Sequence, residues 1–310
     1  MSAVNPTVTL PPLERHDDEE WVGIQSVPRA WHLEPTSTWT SIWGRFDASK
    51  IKIGICDTGI DRDHPEIKDR ILGVRSFVPG EGYFDKNQHG THVAGTVAGE
   101  NIGVCRGAGL VIAKCLSDRG SGASSWILSS IRWLLESGCD IINLSLGGRG
   151  AYQPYADIGR EAAQAGCLLV AAAGNSGGTN TVGYPARYSE FLAVANHQQN
   201  GAIAPSSSGG RQVAITAPGS RIVSCVPGNR YAAFTGTSMA SPFVAGTAGV
   251  QKAIAVAEGS EWAKSPDDYL RINENFIKDS GPPGKDVKFG HGILDVAEMT
   301  KSLVGSQEVA

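Results

Sequence analysis

Three residues have the types and surroundings for nucleophilic chemistry. Asp57 ends an apolar run, His89 opens a glycine-rich segment, and Ser238 stands in the stretch GTSMASP at 236–242. A serine hydroxyl is a poor nucleophile at neutral pH, so it needs a base, and the base needs a group that fixes its tautomer. A hydroxyl, an imidazole and a carboxylate can fill these three roles. The set therefore predicts catalysis by an activated serine.

The residues after Ser238 predict that it stands at a helix start. Pro242 lacks an N–H and has a fixed φ, so we expect it in the first turn of a helix, with Ser238 at or just before the N-terminus. The free N–H groups and the positive end of the helix dipole there stabilise negative charge on a substrate oxygen. Asn175, at the end of the apolar run 167–173, could aim a side-chain amide at the same oxygen.

Apolar runs alternate with helical patterns through most of the chain. We predict strands at 51–57, 110–116, 140–146, 167–173, 191–195 and 213–216, and helices at 124–137 and 155–165, with a further helix start at 265–268. Near-continuous apolar strands separated by helices indicate an α/β fold, with a parallel sheet covered on both faces. In such sheets, ligand sites gather at the carboxyl ends of the strands.

Composition excludes several functions. With 310 residues, 41% hydrophobic and 19% charged, the chain can bury a sizeable core, and its net charge of −4 provides no basic stripe for nucleic acid. No apolar run is long enough for a membrane span. We therefore expect no nucleic-acid partner and no membrane partner, and the oligomeric state stays open.

The cysteines bear on the compartment. No two of them form a CxxC pair, and most lie in apolar runs, where cysteine behaves as a small hydrophobe. We expect free buried thiols rather than disulfides and name Cys139 and Cys167, which open successive strands, as the pair to check. With no apolar signal core near the start, we expect a cytoplasmic protein or a domain excised from a longer precursor. The six cysteines are Cys56, Cys105, Cys115, Cys139, Cys167 and Cys225.

Other readings of the same residues are weaker. His89 and His92 could bind a metal, but no glutamate follows the first histidine as in an HExxH motif, so we expect His92 to be structural. Asp61 and Asp63 could compete with Asp57, but only Asp57 directly ends the strand.

The stretches around Asp57, His89, Asn175 and Ser238 together closely resemble those of the subtilisin-like serine proteases. The resemblance extends from about residue 22 to the FGHGILD stretch at 289–295, and the layout is nearest to that of the intracellular subtilisins. It implies a three-layer fold, a seven-stranded parallel sheet with helices on both faces, and a cis bond before Pro185. It also implies a serine endopeptidase in which Asp57 orients His89, His89 is the base, Ser238 attacks and Asn175 binds the oxyanion.

The resemblance also assigns the residues that contact a peptide substrate. Because they include no charged or bulky side chain, we expect a deep apolar slot, broad specificity and a large apolar residue before the cut bond. One alternative is a dedicated leader peptidase or maturation protease. Another is a non-catalytic peptide-binding scaffold, although the presence of all four catalytic-type residues argues against it. The substrate residues are Gly120, Ser121, Gly122, Ser145, Leu146, Gly147, Ala172, Gly174 and Gly183.

Two features depart from the secreted members of that family. The segment 99–104 resembles their calcium loop but is about two residues shorter, so it supplies fewer oxygen ligands. Glu66 and Asn101 remain candidate ligands of a structural Ca²⁺, and whether the protein requires calcium stays open. Only 56 residues precede Asp57, so we expect no large folding pro-domain here. We divide the chain into an arm at 1–22, a peptidase domain at 23–303 and a tail at 304–310. The arm, with an extended apolar stretch at 8–13, is a candidate inhibitory segment.

Overall fold

The computed structural model describes residues 5–12, 14–22, 30–34 and 36–304. The expected domain boundary at residue 23, Leu13 of the arm and residues 305–310 of the tail lie outside these ranges. The described strands are β1 (Thr7–Thr9), β2 (Glu14–Val22), β3 (Lys52–Asp57), β4 (Ile71–Ser76), β5 (Gly109–Lys114), β6 (Ser121–Ala123), β7 (Ile141–Leu144), β8 (Leu168–Ala172), β9 (Leu192–His197), β10 (Ile215–Pro218), β11 (Ile222–Val226), β12 (Arg230–Thr235), β13 (Ile277–Lys278) and β14 (Ile293–Leu294). The described α-helices are α1 (Thr36–Arg45), α2 (His89–Ala98), α3 (Ser124–Glu136), α4 (Pro154–Gln164), α5 (Thr237–Glu258), α6 (Pro266–Ile272) and α7 (Val296–Val304).

A large, mainly parallel sheet forms the centre of the fold. Its strand order is β13-β14-β10-β9-β8-β7-β3-β5-β4, and only the outermost pair, β13 with β14, is antiparallel. The predicted parallel sheet is confirmed, although the described residues form nine strands where seven were expected. The two additional strands, β13 and β14, have two residues each and extend the sheet at one edge.

Helices cover both faces of this sheet and complete three layers. The alternation of β3 shows why, since Ile53 and Ile55 face the core beneath α2 and α5, whereas Cys56 faces the core beneath α3 and α4. Strand side chains alternate between faces, so a strand with both faces covered is apolar throughout. The predicted α/β layering is confirmed.

Two small sheets lie beside the main one, and both include the N-terminal arm. β1 pairs antiparallel with β6, and β2 pairs antiparallel with β12 in a three-stranded sheet with β11. We expected the arm to lie outside the core, yet Val8 of β1 is only 2% exposed and belongs to the apolar cluster beneath α3 and α4.

Two smaller expectations can be compared directly with the described residues. The Tyr184–Pro185 peptide bond is cis, as expected. All six cysteines are free and buried, including Cys139 and Cys167. No helix in the described ranges combines the length and the apolar character that crossing a membrane requires.

Candidate active site

The four candidate residues all follow strands or begin helices at the carboxyl edge of the main sheet. Asp57 is the last residue of β3, and Asn175 follows β8 by three residues. His89 is the first residue of α2, and Ser238 is the second residue of α5. Parallel strands deliver their carboxyl ends to one edge, so residues distant in sequence meet there.

Asp57 and His89 form a buried hydrogen-bonded pair. His89 Nδ1 lies 2.7 Å from Asp57 Oδ1, and both side chains are fully buried. The same carboxylate oxygen accepts the N–H of Thr58 at 2.7 Å. Since Nδ1–H donates to the carboxylate, Nε2 of His89 carries the lone pair, and within the described residues it has no hydrogen-bond partner. The imidazole is thus held in one tautomer, with Nε2 free to accept a proton.

Asp85 holds the loop before His89 against the end of β3, a role that the sequence did not reveal. One of its carboxylate oxygens accepts the hydroxyl of Thr58 at 2.9 Å, and the other accepts the N–H and hydroxyl of Thr91, both at 2.8 Å. The Thr58 hydroxyl in turn accepts the N–H of Gly90 at 2.9 Å. Asp85 is fully buried. The only signal in the sequence is an aspartate shortly before a helix, where this residue type is common.

A buried lysine supports the same strand end from the other side. Lys114, the last residue of β5, donates from Nζ to the carbonyl oxygen of Thr58 at 2.6 Å. Its charge is paired with Asp118 at 3.0 Å and with Glu81 at 3.2 Å. A buried ammonium is tolerated only when it is paired in this way.

Ser238 is held by reciprocal hydrogen bonds with Ser145. Pro242 lies in the second turn of α5, not in the first turn as predicted, so the carbonyl of Ser238 lacks the N–H that normally comes from four residues later. That carbonyl instead accepts the hydroxyl of Ser145 at 2.7 Å, and Ser145 also accepts a hydrogen bond from Asn143 Nδ2 at 3.0 Å. The Ser238 hydroxyl donates to the carbonyl oxygen of Ser145 at 3.3 Å.

Thr237 orients the amide of Asn175, another contact that the sequence did not reveal. Both the N–H and the hydroxyl of Thr237 donate to Asn175 Oδ1 at 2.9 Å. The amide oxygen is therefore engaged, and Nδ2 donates to the carbonyl oxygen of Pro12 at 2.6 Å. Asn175 thus presents a fixed donor to a peptide carbonyl.

The N-terminal arm lies in the cleft as an extended peptide. β1 pairs with 121–123, and Thr9 exchanges two backbone hydrogen bonds with Gly147, at 3.2 and 3.1 Å. Leu10 donates to the carbonyl oxygen of Gly120 at 2.8 Å. Of the predicted substrate residues, Gly120, Ser121, Gly122 and Gly147 therefore contact a peptide backbone, here the backbone of the chain itself.

A cavity of about 720 Å³ opens beside this segment of the arm. Three of the predicted substrate residues, Gly147, Gly174 and Gly183, line it, whereas Ser145, Leu146 and Ala172 are buried at 0–1% exposure. The lining also includes Arg149 and Arg187, two charged residues outside the set from which the apolar slot was predicted.

The two candidate calcium ligands contact each other. Glu66 accepts the N–H of Asn101 at 2.8 Å, its Nδ2 at 3.0 Å and the hydroxyl of Tyr231 at 2.9 Å. The Arg106 guanidinium donates to the carbonyl oxygen of Asn101 at 2.5 Å and lies 3.4 Å from the ring centroid of Trp43. Calcium needs six to eight converging oxygens, but here the carboxylate faces protein donors and a cation already binds the loop. These residues as arranged do not fit a calcium site.

The remaining candidates have other partners. His92 Nε2 donates to the carbonyl oxygens of Ile222 and Ala232, and burial lowers its pKa to about 3, which suits a neutral structural imidazole. Asp61 accepts the N–H of Gly228 at 2.9 Å. Over the described parts of the chain, no group of three or more His, Cys, Asp or Glu side chains could hold a metal ion.

Comparisons with known proteins agree with this geometry. The sequence profile described as the subtilase family matches residues 48–292. Subtilisin E of Bacillus subtilis (strain 168) is 37% identical over 262 residues, which are 81% of this chain, and the match spans 66% of that relative's length. The intracellular serine protease of Paenibacillus polymyxa is 36% identical over 287 residues, covering 87% of both chains. Subtilisin of Bacillus pumilus is 37% identical, with 81% of this chain and 91% of the relative covered. The chain belongs to the subtilase family, the subtilisin-like serine proteases.

Proposed function

We propose that the protein is a serine endopeptidase that hydrolyses peptide bonds through an acyl-enzyme. The observation that carries the proposal is the arm itself. An extended peptide lies in the cleft with its Pro12 carbonyl oxygen 2.6 Å from Asn175 Nδ2, at the edge of the sheet that also carries the Asp57–His89 pair and the start of α5 with Ser238. The family match and the relatives' names support the same reading.

Catalysis then follows from the arrangement of the four residues. The Ser238 hydroxyl turns from the Ser145 carbonyl towards His89 Nε2, gives up its proton there and attacks the carbonyl carbon of the substrate. Asp57 stabilises the imidazolium, which passes the proton to the leaving amine. Water, deprotonated by the same nitrogen, hydrolyses the acyl-enzyme and regenerates the serine.

The developing oxyanion has two proposed donors. One is Asn175 Nδ2, whose direction is fixed because Thr237 binds the amide oxygen. The other is the N–H of Ser238, in the first turn of α5, where helix N–H groups have no intrahelical acceptor. Donors that are already in place cost no reorganisation when the charge forms, and removal of one such donor costs about 10²–10³ in kcat.

For specificity we propose broad selection with a large apolar residue before the cut bond. A volume of about 720 Å³ with glycines on its walls supports a large side chain. Arg149 and Arg187 also line the cavity. Substrates that place polar groups beside these arginines, at the rim of the cavity, should therefore be preferred to substrates that are apolar throughout.

The arm is proposed to inhibit the enzyme until it is displaced or cut. Its backbone uses the contacts that a substrate would need, at Gly120, Gly147 and Asn175, and Val8 anchors it in the core. We further propose a cytoplasmic location. The name of the Paenibacillus relative and the six free buried thiols, which suit a reducing compartment, support it.

Hydrolysis is tested by following a fluorogenic peptide and the intact mass of the full chain over time. We expect hydrolysis, mass loss from the arm, and a single adduct with a phosphonylating serine inhibitor that stops both. Ser238→Ala should lose hydrolysis by several orders of magnitude and form no adduct. Ser189→Ala, which changes an exposed serine, is the matched control and should behave as the parent chain does. An adduct that persists in Ser238→Ala would refute the assignment.

Inhibition by the arm is tested with two charge-introducing variants. Val8→Glu places a carboxylate where the parent side chain is 2% exposed, so it should release the arm and remove any lag before hydrolysis. Thr7→Glu introduces the same charge at the exposed neighbouring residue and should keep the lag. Equal initial rates of Val8→Glu, Thr7→Glu and the parent chain would show that the arm does not inhibit.

A further inference from the structure

The arm continues beyond the cleft along the edge of β12. Glu14 pairs with Thr235, Arg15 with Phe234 and His16 with Ala233. Thr235 precedes Ser238 by only three residues, so this pairing begins at the catalytic centre and leads away from it.

The position of each arm residue relative to a cut bond can be counted from Asn175. Because Nδ2 of Asn175 binds the Pro12 carbonyl, Pro12 stands where the attacked carbonyl would be. Glu14 and Arg15 are then the second and third residues on the leaving-group side. A substrate following the same path would pair its leaving-side backbone with β12, as a peptide adds to an exposed strand edge.

Arg15 contacts two groups that together suit a cation. Its Nη2 donates to the carbonyl oxygen of Asn87 at 3.0 Å and approaches Asn87 Oδ1 at 3.5 Å. Its Cζ lies 5.4 Å from the centroid of the Phe234 ring. Two acceptor oxygens and an aromatic face match a planar guanidinium, which can donate and stack at the same time.

Both groups are held in place by the body of the enzyme. Asn87 donates from its N–H to Asp85 at 3.0 Å and from Nδ2 to the carbonyl oxygen of Asp118 at 3.1 Å, which leaves Oδ1 directed outwards. The Phe234 ring is 2% exposed and stacks on His92, with centroids 4.3 Å apart. The subsite is therefore formed without the arm and would persist after the arm leaves.

The next position along the arm faces a positively charged side chain. His16 lies between the hydroxyl of Thr235, at 3.0 Å from Nε2, and Arg221, whose Nη1 is 3.4 Å from Nδ1. A cationic side chain there would face a guanidinium. The selection should therefore distinguish neighbouring positions rather than reward positive charge in general.

We propose that Asn87 and Phe234 form a subsite for a basic side chain at the third position after the cut bond. The preferred substrates are extended peptides with Arg, and next Lys, at that position. This inference rests on the proposed endopeptidase function, because it names a subsite of the same cleft.

The test compares kcat/KM for quenched fluorescent peptides that differ at one residue. The third leaving-side position carries Arg, Lys, Gln or Glu, and one further peptide has the Arg moved to the fourth position. We expect Arg to exceed Gln by about tenfold, from a stacked cation and a charge-assisted hydrogen bond. Glu should be poorest, and the shifted Arg should lose the gain.

Variants assign the effect to the subsite. Phe234→Leu and Asn87→Ala should each bring the Arg-to-Gln ratio towards one, whereas Phe276→Leu, the same change outside the groove, should preserve the ratio. The ratio is measured on whatever fraction is active, so partial loss of folding does not obscure it. Hydrolysis of all peptides at equal rates would overturn the subsite and leave the protease function standing. No hydrolysis of any peptide by the arm-releasing variant Val8→Glu would instead refute the function on which the subsite rests.

Discussion

A double substitution can test whether Ser145 compensates for Pro242. The proline removes the N–H that the Ser238 carbonyl would normally accept, and the Ser145 hydroxyl takes its place at 2.7 Å. Ser145→Ala leaves that buried carbonyl and Nδ2 of Asn143 without a partner. An unsatisfied buried group costs about 1–3 kcal/mol, so we expect a loss of about 2–4 kcal/mol in the free energy of unfolding.

Pro242→Ala restores the missing donor from within the helix. Alone it should change the free energy of unfolding by less than about 1 kcal/mol, since the carbonyl is already satisfied and the added chain entropy of the unfolded state opposes the gain. In the Ser145→Ala background it should recover about 1–2 kcal/mol, because the new N–H reaches the orphaned carbonyl. The two changes should therefore be coupled.

The assay is urea unfolding of the four chains of this cycle, each carrying Ser238→Ala to prevent self-digestion while keeping the backbone carbonyl. In a control cycle, Ser130→Ala takes the place of Ser145→Ala. The Ser130 hydroxyl is also buried but has no hydrogen-bond partner in the described structure. That control should be additive with Pro242→Ala. Additivity of Ser145→Ala and Pro242→Ala within about 0.5 kcal/mol would refute the compensation.

Three further predictions concern calcium, pH and Asp85. Neither excess calcium nor a chelator should change the thermal unfolding midpoint, and a midpoint that rises with calcium would contradict this. Arg106→Gln should lower the midpoint, because it removes the guanidinium from the Asn101 loop and from Trp43. Burial lowers the pKa of His32 from 6.5 to about 4, so the folded state binds fewer protons, and its contribution to stability is present above about pH 6.5 and lost as the pH falls towards 4. The free energy of unfolding, measured by urea titration at each pH, should change by up to about 1.4 kcal/mol per pH unit because of this group. His32→Gln should remove this contribution to the slope, and an unchanged slope in that variant would refute the prediction. Asp85→Asn should lower kcat by about tenfold with little change in KM, because an amide nitrogen cannot accept the hydrogen bonds that fix the loop before His89, whereas the exposed Asp69→Asn should have no effect.

The sequence predicted the elements whose signal lies within a short stretch. The run ending at Asp57 is apolar on both faces, so its strand, its burial and its edge could all be anticipated. The helix Ser124–Glu136 was predicted within one residue, because its apolar face and the glycine after it are local signals.

What could not be predicted depends on partners far apart in the chain. Ser145 is 93 residues from Ser238 and Asn175 is 62 from Thr237, so the contacts between them exist only once the fold has formed. The strand Glu14–Val22 is rich in acidic residues, which are poor strand formers, and it pairs only because β12 offers a free edge. Pro242 was placed in the wrong turn because its missing donor is replaced from outside the helix.

The arm that occupies the cleft belongs to the same polypeptide as the cleft, and this changes how its occupancy scales. A tethered segment competes at an effective concentration of about millimolar, whatever the dilution of the protein. Once a bond within the arm is cut, a released fragment competes only at its own bulk concentration. One cleavage event would thus change binding of the arm in the cleft from an intramolecular equilibrium, which does not depend on protein concentration, to a bimolecular one. In dilute solution, loss of the arm from the cleft would then be practically irreversible. Each molecule would be activated once by cleavage and would not return to the inhibited state.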